Sequence, residues 1–459
     1  MQRWRTVFSV VWIALIAAWH APAAEAWPKA EWPAATPAEV GLDATKLAEA
    51  REYALTGGGS GYITRHGNLV LSWGDPRQRY DLKSTTKSFG CIALGLAIKD
   101  GKVRLADKAN QYHPTLGVPP ESNAESGWVE EITLLHLATQ TAGFEKPGGY
   151  THLLFRPGTQ WDYSDSGPNW LAECLTLACR CDLDELMFER VFTPLGIQRS
   201  DLVWRKNQYR PALIDGLPRR EFGAGISANV DALARIGLLM LREGRWMERQ
   251  IIPREFVAAA RSPAPGAASL FVHTNSMKEA GAAASRHYGL LWWNNADGTL
   301  ANVPRDAFWS WGLYDSLILV IPSLDIAVAR AGQSWKRQPG APHYDVLRPF
   351  FEPIAGAVIP NRSGRREEAH SFTAVNRKVP GESERSLLTS AAAALPLRAS
   401  FAQRLLTRPR RKGGHAFCRR AGSLRCARAM GTMDERLLLG KVGRGSRRYG
   451  QLPGQVDEC

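Results

Sequence analysis

Two hairpin patterns lie near opposite ends of the main body of this chain and constrain its fold most strongly. The first, GYITRHGNLVLSWGD (61–75), has two apolar runs separated by HGN, a typical hairpin turn. The second has apolar runs at 317–321 and 326–329 on either side of the turn PSLD. The segments between them are mainly helical in pattern, which indicates an α+β fold rather than alternating βαβ units.

Several segments combine capping signals with helical spacing of apolar residues. Asp43 is a candidate N-cap for a helix over 43–53, and apolar residues recur at i, i+3 and i+4 over 229–244. Further helices are predicted over 84–100, 132–140 and 168–178. Trp161–Asp165 is predicted to be a loop, and no repeat of 20–50 residues is present.

The charge is distributed unevenly along the 459 residues, whose net charge is +14. Segment 361–459 holds 21 of the 58 basic and 8 of the 44 acidic residues, which leaves 37 basic and 36 acidic residues in 1–360. A nearly neutral body gives no reason to expect nucleic-acid binding. The basic tail is predicted to be disordered or a product of mistaken gene boundaries, with binding to an acidic surface as the alternative. Its partner is unknown.

The first 26 residues resemble a secretory signal peptide. Arg3 and Arg5 precede a 13-residue apolar run (7–19), and Ala24-Glu25-Ala26 supplies an A-x-A cleavage pattern. The run is shorter than a membrane-spanning helix of about 20 residues, although a retained anchor remains the alternative. We therefore predict a signal peptide (1–26), a hydrolase body (27–360) and a tail (361–459), with no stable membrane span and a periplasmic or secreted location.

Ser84-Thr85-Thr86-Lys87 forms an S-x-x-K motif at the predicted start of a helix. Residues three apart share a helix face, so the Lys87 amine can hydrogen-bond the Ser84 hydroxyl and favour loss of its proton. The positive end of the helix dipole assists the developing negative charge. By itself the motif is weak, because about one chance match is expected in a chain of this length. A solvated helix start is the alternative.

Tyr163 lies in a loop that enters a helix. Its phenol can act as a general base if a neighbouring ammonium lowers its pKa from about 10, and an ordinary packed tyrosine is the alternative. Cys174, Cys179 and Cys181 are close enough in sequence for a disulfide, although buried or locally paired thiols are the simpler interpretation. Cys91 is expected to face the core from the same helix as Ser84.

The chain resembles the serine β-lactamase and penicillin-binding-protein superfamily, in its class C β-lactamase-like and esterase branch. The resemblance covers roughly residues 41–360 and depends on ordered segments. These segments are YITRHGNLVLSWG, STTKSF, ITLLHLATQTAGF, FRPGTQWDYSDSG, TPLGIQRSDLVW, FGAGISANVDALARIGLLMLREGRW and WSWGLYDSLILVIPSLDIAVARAG. It implies a sheet built from both ends of the body, packed against a central helical part, with the site between them.

The resemblance also implies a catalytic set. Ser84 would be the acylated nucleophile, with Lys87 and Tyr163 jointly activating it and returning the proton. The family's third motif falls near Ser310-Trp311-Gly312, so the N–H groups of Ser84 and Leu313 would form the oxyanion hole. Gly312, Trp311 and Asp165 complete the predicted substrate-binding set.

Two departures from the family pattern bear on the substrate. Asp165 replaces the usual Asn of the second motif and, as a carboxylate, can only accept hydrogen bonds, although it can instead pair with Lys87 and tune it. Ser310-Trp311 replaces the usual Lys or His of the third motif, so the cation that would meet a substrate carboxylate is missing. Both changes argue against efficient penicillin hydrolysis and favour a neutral acyl ester or an unusual amide.

The aromatic residues near the third motif have two interpretations. They can line an apolar acyl pocket, or they can simply pack in the core. The residues concerned are Trp292, Trp293, Trp309, Trp311 and Tyr314.

The sequence therefore predicts a metal-independent serine hydrolase that acts on a small ester or amide. No metal or nucleotide fingerprint is present, and no cofactor is expected. A β-lactamase or D-Ala-D-Ala peptidase is the alternative enzyme. A non-catalytic binding homologue and an interaction protein acting through its basic tail are the alternatives of other classes.

Overall fold

The computed structural model describes residues 25–273 and 284–360. Residues 1–24 of the predicted signal peptide and the whole predicted tail lie outside this part. The α-helices described are α1 (Ala44–Leu55), α2 (Thr86–Lys99), α3 (Ser122–Glu125), α4 (Leu134–Ala138), α5 (Ser166–Cys179), α6 (Leu183–Met187), α7 (Val230–Leu241), α8 (Arg254–Arg261) and α9 (Arg348–Gly356).

The strands are short apart from those of the two predicted hairpins. They are β1 (Ser60–Arg65), β2 (Asn68–Trp73), β3 (Tyr80–Asp81), β4 (Leu202–Trp204), β5 (Leu213–Ile214), β6 (Leu217–Pro218), β7 (Ile226–Ala228), β8 (Arg245–Trp246), β9 (Arg249–Gln250), β10 (Trp293–Asn294), β11 (Phe308–Trp311), β12 (Leu317–Ile321) and β13 (Ile326–Ala331). Both hairpins and the α+β class are confirmed.

The main sheet joins the two ends of the body. Its strand order is β10-β11-β12-β13-β1-β2, and every neighbouring pair is antiparallel. Strand β13 pairs with β1 over the full length of each, from Ser60 opposite Ala331 to Arg65 opposite Ile326. Backbone hydrogen bonds between β1 and β13 therefore join the two hairpins, which lie far apart in the sequence.

Both faces of this sheet are covered, which explains the uninterrupted apolar run of β12. Leu317, Leu319 and Ile321 lie in one buried cluster with α1 and α9, whereas Ile318 and Val320 lie in another with α2, α5 and α7. Alternate side chains of a strand point to opposite faces, so covering both faces requires apolar residues at every position.

A small sheet with the order β3-β7-β4 lies beside the start of α2. Strand β3 ends just before the S-x-x-K motif, and the N–H of Leu82 donates to the carbonyl of Ile226 (3.0 Å). This sheet fixes the entry of the chain into α2.

Other local predictions agree with the structure. Asp43 caps α1, because its Oδ1 accepts a hydrogen bond from the N–H of Thr45 (2.8 Å). Cys91 is buried on α2, and the cysteines that the structure describes are thiols. Within the described ranges, no helix has the length and apolar character needed to cross a membrane.

Candidate active site

The predicted nucleophile lies in the turn that leads into α2. Ser84 is part of a 3-10 turn, Lys83–Thr85, and the α-helix begins two residues later than the sequence predicts, at Thr86. Lys83, the residue before the nucleophile, has a left-handed backbone conformation (φ 49°). This conformation costs free energy for a residue with a Cβ and is typical of functional turns.

Lys87 contacts Ser84 as the motif spacing predicts. Its Nζ lies 2.9 Å from Ser84 Oγ and donates to the carbonyl of Gly223 (2.9 Å) and to Asp165 Oδ1. The side chain is only 1% exposed. Burial lowers the pKa of Lys87, because it disfavours the charged ammonium, although Asp165 opposes this effect. The predicted pairing of Asp165 with Lys87 is therefore present.

Tyr163 lies against both partners of this pair. Lys87 Nζ lies 4.7 Å from the centre of its ring, and Ser84 is near enough to act on the pKa of its hydroxyl. A neighbouring ammonium, that of Lys146, acts to lower the pKa of Tyr163, but it does not set the overall direction. Burial raises that pKa, the Asp165 carboxylate raises it further, and the opposing effect of Lys146 is smaller. The structure therefore favours a neutral phenol.

Lys146 is a site residue that sequence reasoning missed. It donates to Asp165 Oδ2, so the carboxylate lies between two ammonium groups. Burial acts to raise the pKa of Asp165, but Lys146 and Lys87 together hold it below its usual value. The EKPGG loop indicates a turn but carries no catalytic spacing, and no signal in the sequence joins Lys146 to the second motif.

Gly223 and Glu221 were also missed, and both lie in the loop before β7. Asn169 of α5 orients this loop by accepting hydrogen bonds from the N–H groups of Phe222 and Gly223 (2.9 Å each). Glu221 is fully buried, and Arg205 lies 2.8 Å from its carboxylate. Burial raises the pKa of Glu221 to about 7.

The third motif is packed against the nucleophile turn. Ser310 Oγ accepts a hydrogen bond from the N–H of Ile318 (2.9 Å) and lies 3.3 Å from Thr85 Oγ1. Gly312 allows this close approach, since a Cβ placed there would lie 2.1 Å from the carbonyl oxygen of Leu82. Ser310 is therefore a buried hydroxyl, and its equivalence with the cation of the family's third motif stays a prediction.

The backbone beyond this strand is suited to receive an oxyanion. The N–H of Gly312 is engaged by the carbonyl of Ser316 (2.9 Å), whereas the N–H of Leu313 has no hydrogen-bond partner within the described ranges. Leu313 is also 54% exposed. The assignment of Leu313 and Ser84 N–H groups as the oxyanion hole stays a prediction that this geometry permits.

The aromatic residues near the third motif divide between the two interpretations. Trp292 and Trp309 are fully buried, and each packs edge-on against a phenylalanine, so they belong to the core. Trp293 stacks on Tyr163 with ring centres 5.6 Å apart. Trp311 is buried and donates to Asp315 (2.8 Å), so its contact with substrate stays a prediction.

Ser84, Lys87 and Tyr163 thus lie together, next to the end of strand β11, which packs against the nucleophile turn. The chain belongs to the beta-lactamase family, whose model matches residues 48–348. This membership confirms the family resemblance predicted from the ordered sequence segments.

Individual relatives match over shorter stretches. The chain is 26% identical to a beta-lactamase of Pseudomonas fluorescens over 136 residues, which are 26% of this chain and 36% of the relative. It is 27% identical to the D-alanyl-D-alanine-carboxypeptidase/endopeptidase AmpH of Escherichia coli over 213 residues, 41% and 52% of the two chains. The matched stretches therefore span about a third to a half of these curated relatives.

Solved structures share the fold over most of the body. EstCE1, a hydrolase with promiscuous acyltransferase activity, aligns with a TM-score of 0.51 at 17% identity, covering 69% of this chain and 98% of its own. A likeness at this identity concerns the fold alone.

Proposed function

We propose that this beta-lactamase-family protein is an exported serine hydrolase that forms an acyl-enzyme on Ser84, with carboxylic esters as its substrates. One observation carries the proposal: the buried Lys87 amine lies 2.9 Å from the Ser84 hydroxyl. This distance is short enough for the Ser84 hydroxyl to transfer its proton directly to the Lys87 amine.

The geometry supports a division of labour between the two activating residues. Lys87, whose pKa burial lowers, accepts the Ser84 proton as Oγ attacks the ester carbonyl. The Lys87 ammonium then passes this proton to Tyr163 while Tyr163, whose pKa burial raises, gives its own hydroxyl proton to the leaving alkoxide, so Tyr163 stays neutral and the amine is regenerated. The N–H groups of Ser84 and Leu313 stabilise the tetrahedral oxyanion, and a water molecule then hydrolyses the acyl-enzyme by the reverse sequence of proton transfers.

The ester preference depends on charge at the third motif. A β-lactam or a peptide C-terminus carries a carboxylate, and Ser310 offers it no cation because serine is neutral. Its hydroxyl is also buried against Thr85 and Ile318. The alternative is an amide hydrolase acting on β-lactams or D-Ala-D-Ala peptides. The names of the AmpH and Pseudomonas relatives favour that alternative.

A fluorophosphonate probe tests the nucleophile. We expect it to label the wild type and not Ser84→Ala. Ser88→Ala is the matched control, because Ser88 lies in the first turn of α2, just after the nucleophile turn, and donates to the carbonyl of Leu291 (2.8 Å). A folded wild type that stays unlabelled would favour the non-catalytic homologue.

Substrate choice needs a separate comparison. The body 27–360 is assayed on short-chain aryl esters and on a chromogenic cephalosporin, each beside Ser84→Ala. Faster turnover of the cephalosporin would overturn the ester preference. Export is tested by sequencing the N-terminus of the mature protein, which we expect to begin after Ala26.

A further inference from the structure

The two lysines of the site share one carboxylate. Each oxygen of Asp165 accepts a hydrogen bond from a different ammonium group, Oδ1 from Lys87 and Oδ2 from Lys146. The two ammonium groups also approach the same ring, with Nζ of Lys87 4.7 Å and Nζ of Lys146 5.3 Å from the centre of Tyr163. A single negative charge therefore serves two positive charges next to the nucleophile.

Lys146 is held there by its backbone as well as by its side chain. Its carbonyl accepts a hydrogen bond from the N–H of Asp165 (2.8 Å), and the neighbouring carbonyl of Glu145 accepts one from Ser164 Oγ (2.7 Å). The loop of Lys146 is thus tied to the second motif at two consecutive residues. The position of its ammonium group is a built feature of the site.

We propose that Lys146 is a positioning residue which, by engaging the second oxygen of Asp165, weakens the hold of that carboxylate on the Lys87 ammonium and keeps Lys87 available as a proton acceptor. This inference rests on the proposed acylation of Ser84. It explains how the chain accommodates Asp165: the second cation offsets the charge that the carboxylate adds.

The physical argument is electrostatic. A carboxylate beside a lysine stabilises the ammonium, and a second ammonium close by destabilises it. Burial of Lys87, whose side chain is 1% exposed, strengthens both effects, whereas the 27% exposure of Lys146 lets water screen part of its charge. Without Lys146, the full charge of Asp165 acts on Lys87 and raises the pKa of its ammonium group.

Other ionisable groups face Lys87 and belong in the same account. They are Ser84 on the nucleophile turn, Tyr163 and Asp165 from the second motif, Lys146 from the preceding loop, Tyr209 from the segment between β4 and β5, and Glu221 from the loop before β7. Glu221, with a pKa of about 7, titrates in the range of interest. The pH profiles of Ser84 labelling are therefore also measured with Glu221→Gln added to the wild type and to Lys146→Met.

The experiment measures the rate of Ser84 labelling by a fluorophosphonate against pH in wild type and Lys146→Met. The acidic limb of the profile reports protonation of Lys87. We expect Lys146→Met to move this limb up by about one pH unit, which is about a tenfold slower rate at a pH on the limb. Lys146→Arg, which keeps the charge, should restore the wild-type limb.

A second variant removes the carboxylate. Asp165→Asn should move the limb in the opposite direction, and adding it to Lys146→Met should bring the limb back toward the wild type. A lysine that only anchors its loop would slow labelling equally at every pH and gain nothing from Asp165→Asn. If Lys146→Met does not fold, Lys146→Gln replaces it, and a limb that this substitution leaves unmoved overturns the inference.

The outcomes separate this inference from the proposed function. An unlabelled wild type refutes the acylation of Ser84. A labelled wild type whose acidic limb is the same in Lys146→Met leaves the proposed function intact and refutes the role of Lys146.

Discussion

Gly312→Ala perturbs the contact between the third motif and the nucleophile turn. A Cβ at position 312 would lie 2.1 Å from the carbonyl oxygen of Leu82, whereas contacts under 3.0 Å are essentially never formed. The obstacle is backbone, so the strand or the turn must move by about 0.9 Å. That movement separates the N–H groups of Leu313 and Ser84, which the proposed function assigns to one oxyanion.

The expected cost follows from this distance. A misplacement of about 1 Å can reduce a rate by about 10²-fold, and loss of one oxyanion donor reduces kcat by about 10²–10³-fold. We therefore expect kcat on an aryl ester to fall by about 10²-fold in Gly312→Ala. KM should change little, because the interaction is made mainly in the transition state.

The assay is steady-state ester hydrolysis, with thermal unfolding to establish that each variant is folded. Gly167→Ala is the matched control, since a Cβ there meets its nearest atoms at an ordinary 3.8 Å, close to the same site. A folded Gly312→Ala enzyme within about threefold of the wild-type kcat would refute the placement of the oxyanion hole at Leu313.

Three further predictions concern single side chains. Tyr163→Phe keeps the stacked ring but removes the hydroxyl to which the proposed function assigns proton transfer, so ester kcat should fall by about 10²–10⁴-fold with the melting temperature nearly unchanged. An unchanged kcat would exclude a proton-transfer role. Because burial raises the pKa of Glu221 from 4.5 to about 7, the folded state keeps a proton that the unfolded state releases, and stability should decline as pH rises through this range. Glu221→Gln should flatten that decline in melting temperature, and an identical slope would contradict the assignment. Asp43→Ala removes the cap of α1 and should cost about 1 kcal/mol in denaturant unfolding, with ester kcat unchanged; no loss of stability would contradict the capping role.

The sequence by itself determined the features that depend on neighbouring residues. Hairpins at 60–73 and 317–331 follow from short apolar runs around turn residues, and the cap at Asp43 follows from its position before a helical pattern. The contact of Lys87 with Ser84 follows from their spacing of three residues. Such features need no knowledge of the rest of the chain.

The tertiary structure alone decided the electrostatics of the site. Asp165 is 78 positions from Lys87 and 19 from Lys146, and no periodic pattern encodes that meeting. The direction of the pKa shift of Tyr163 was also beyond the sequence, because burial outweighs the neighbouring charges and burial is set by the whole packed core. Chemistry at Ser84 was thus visible in a local motif, whereas the balance of charge that would let it act depends on contacts between distant segments.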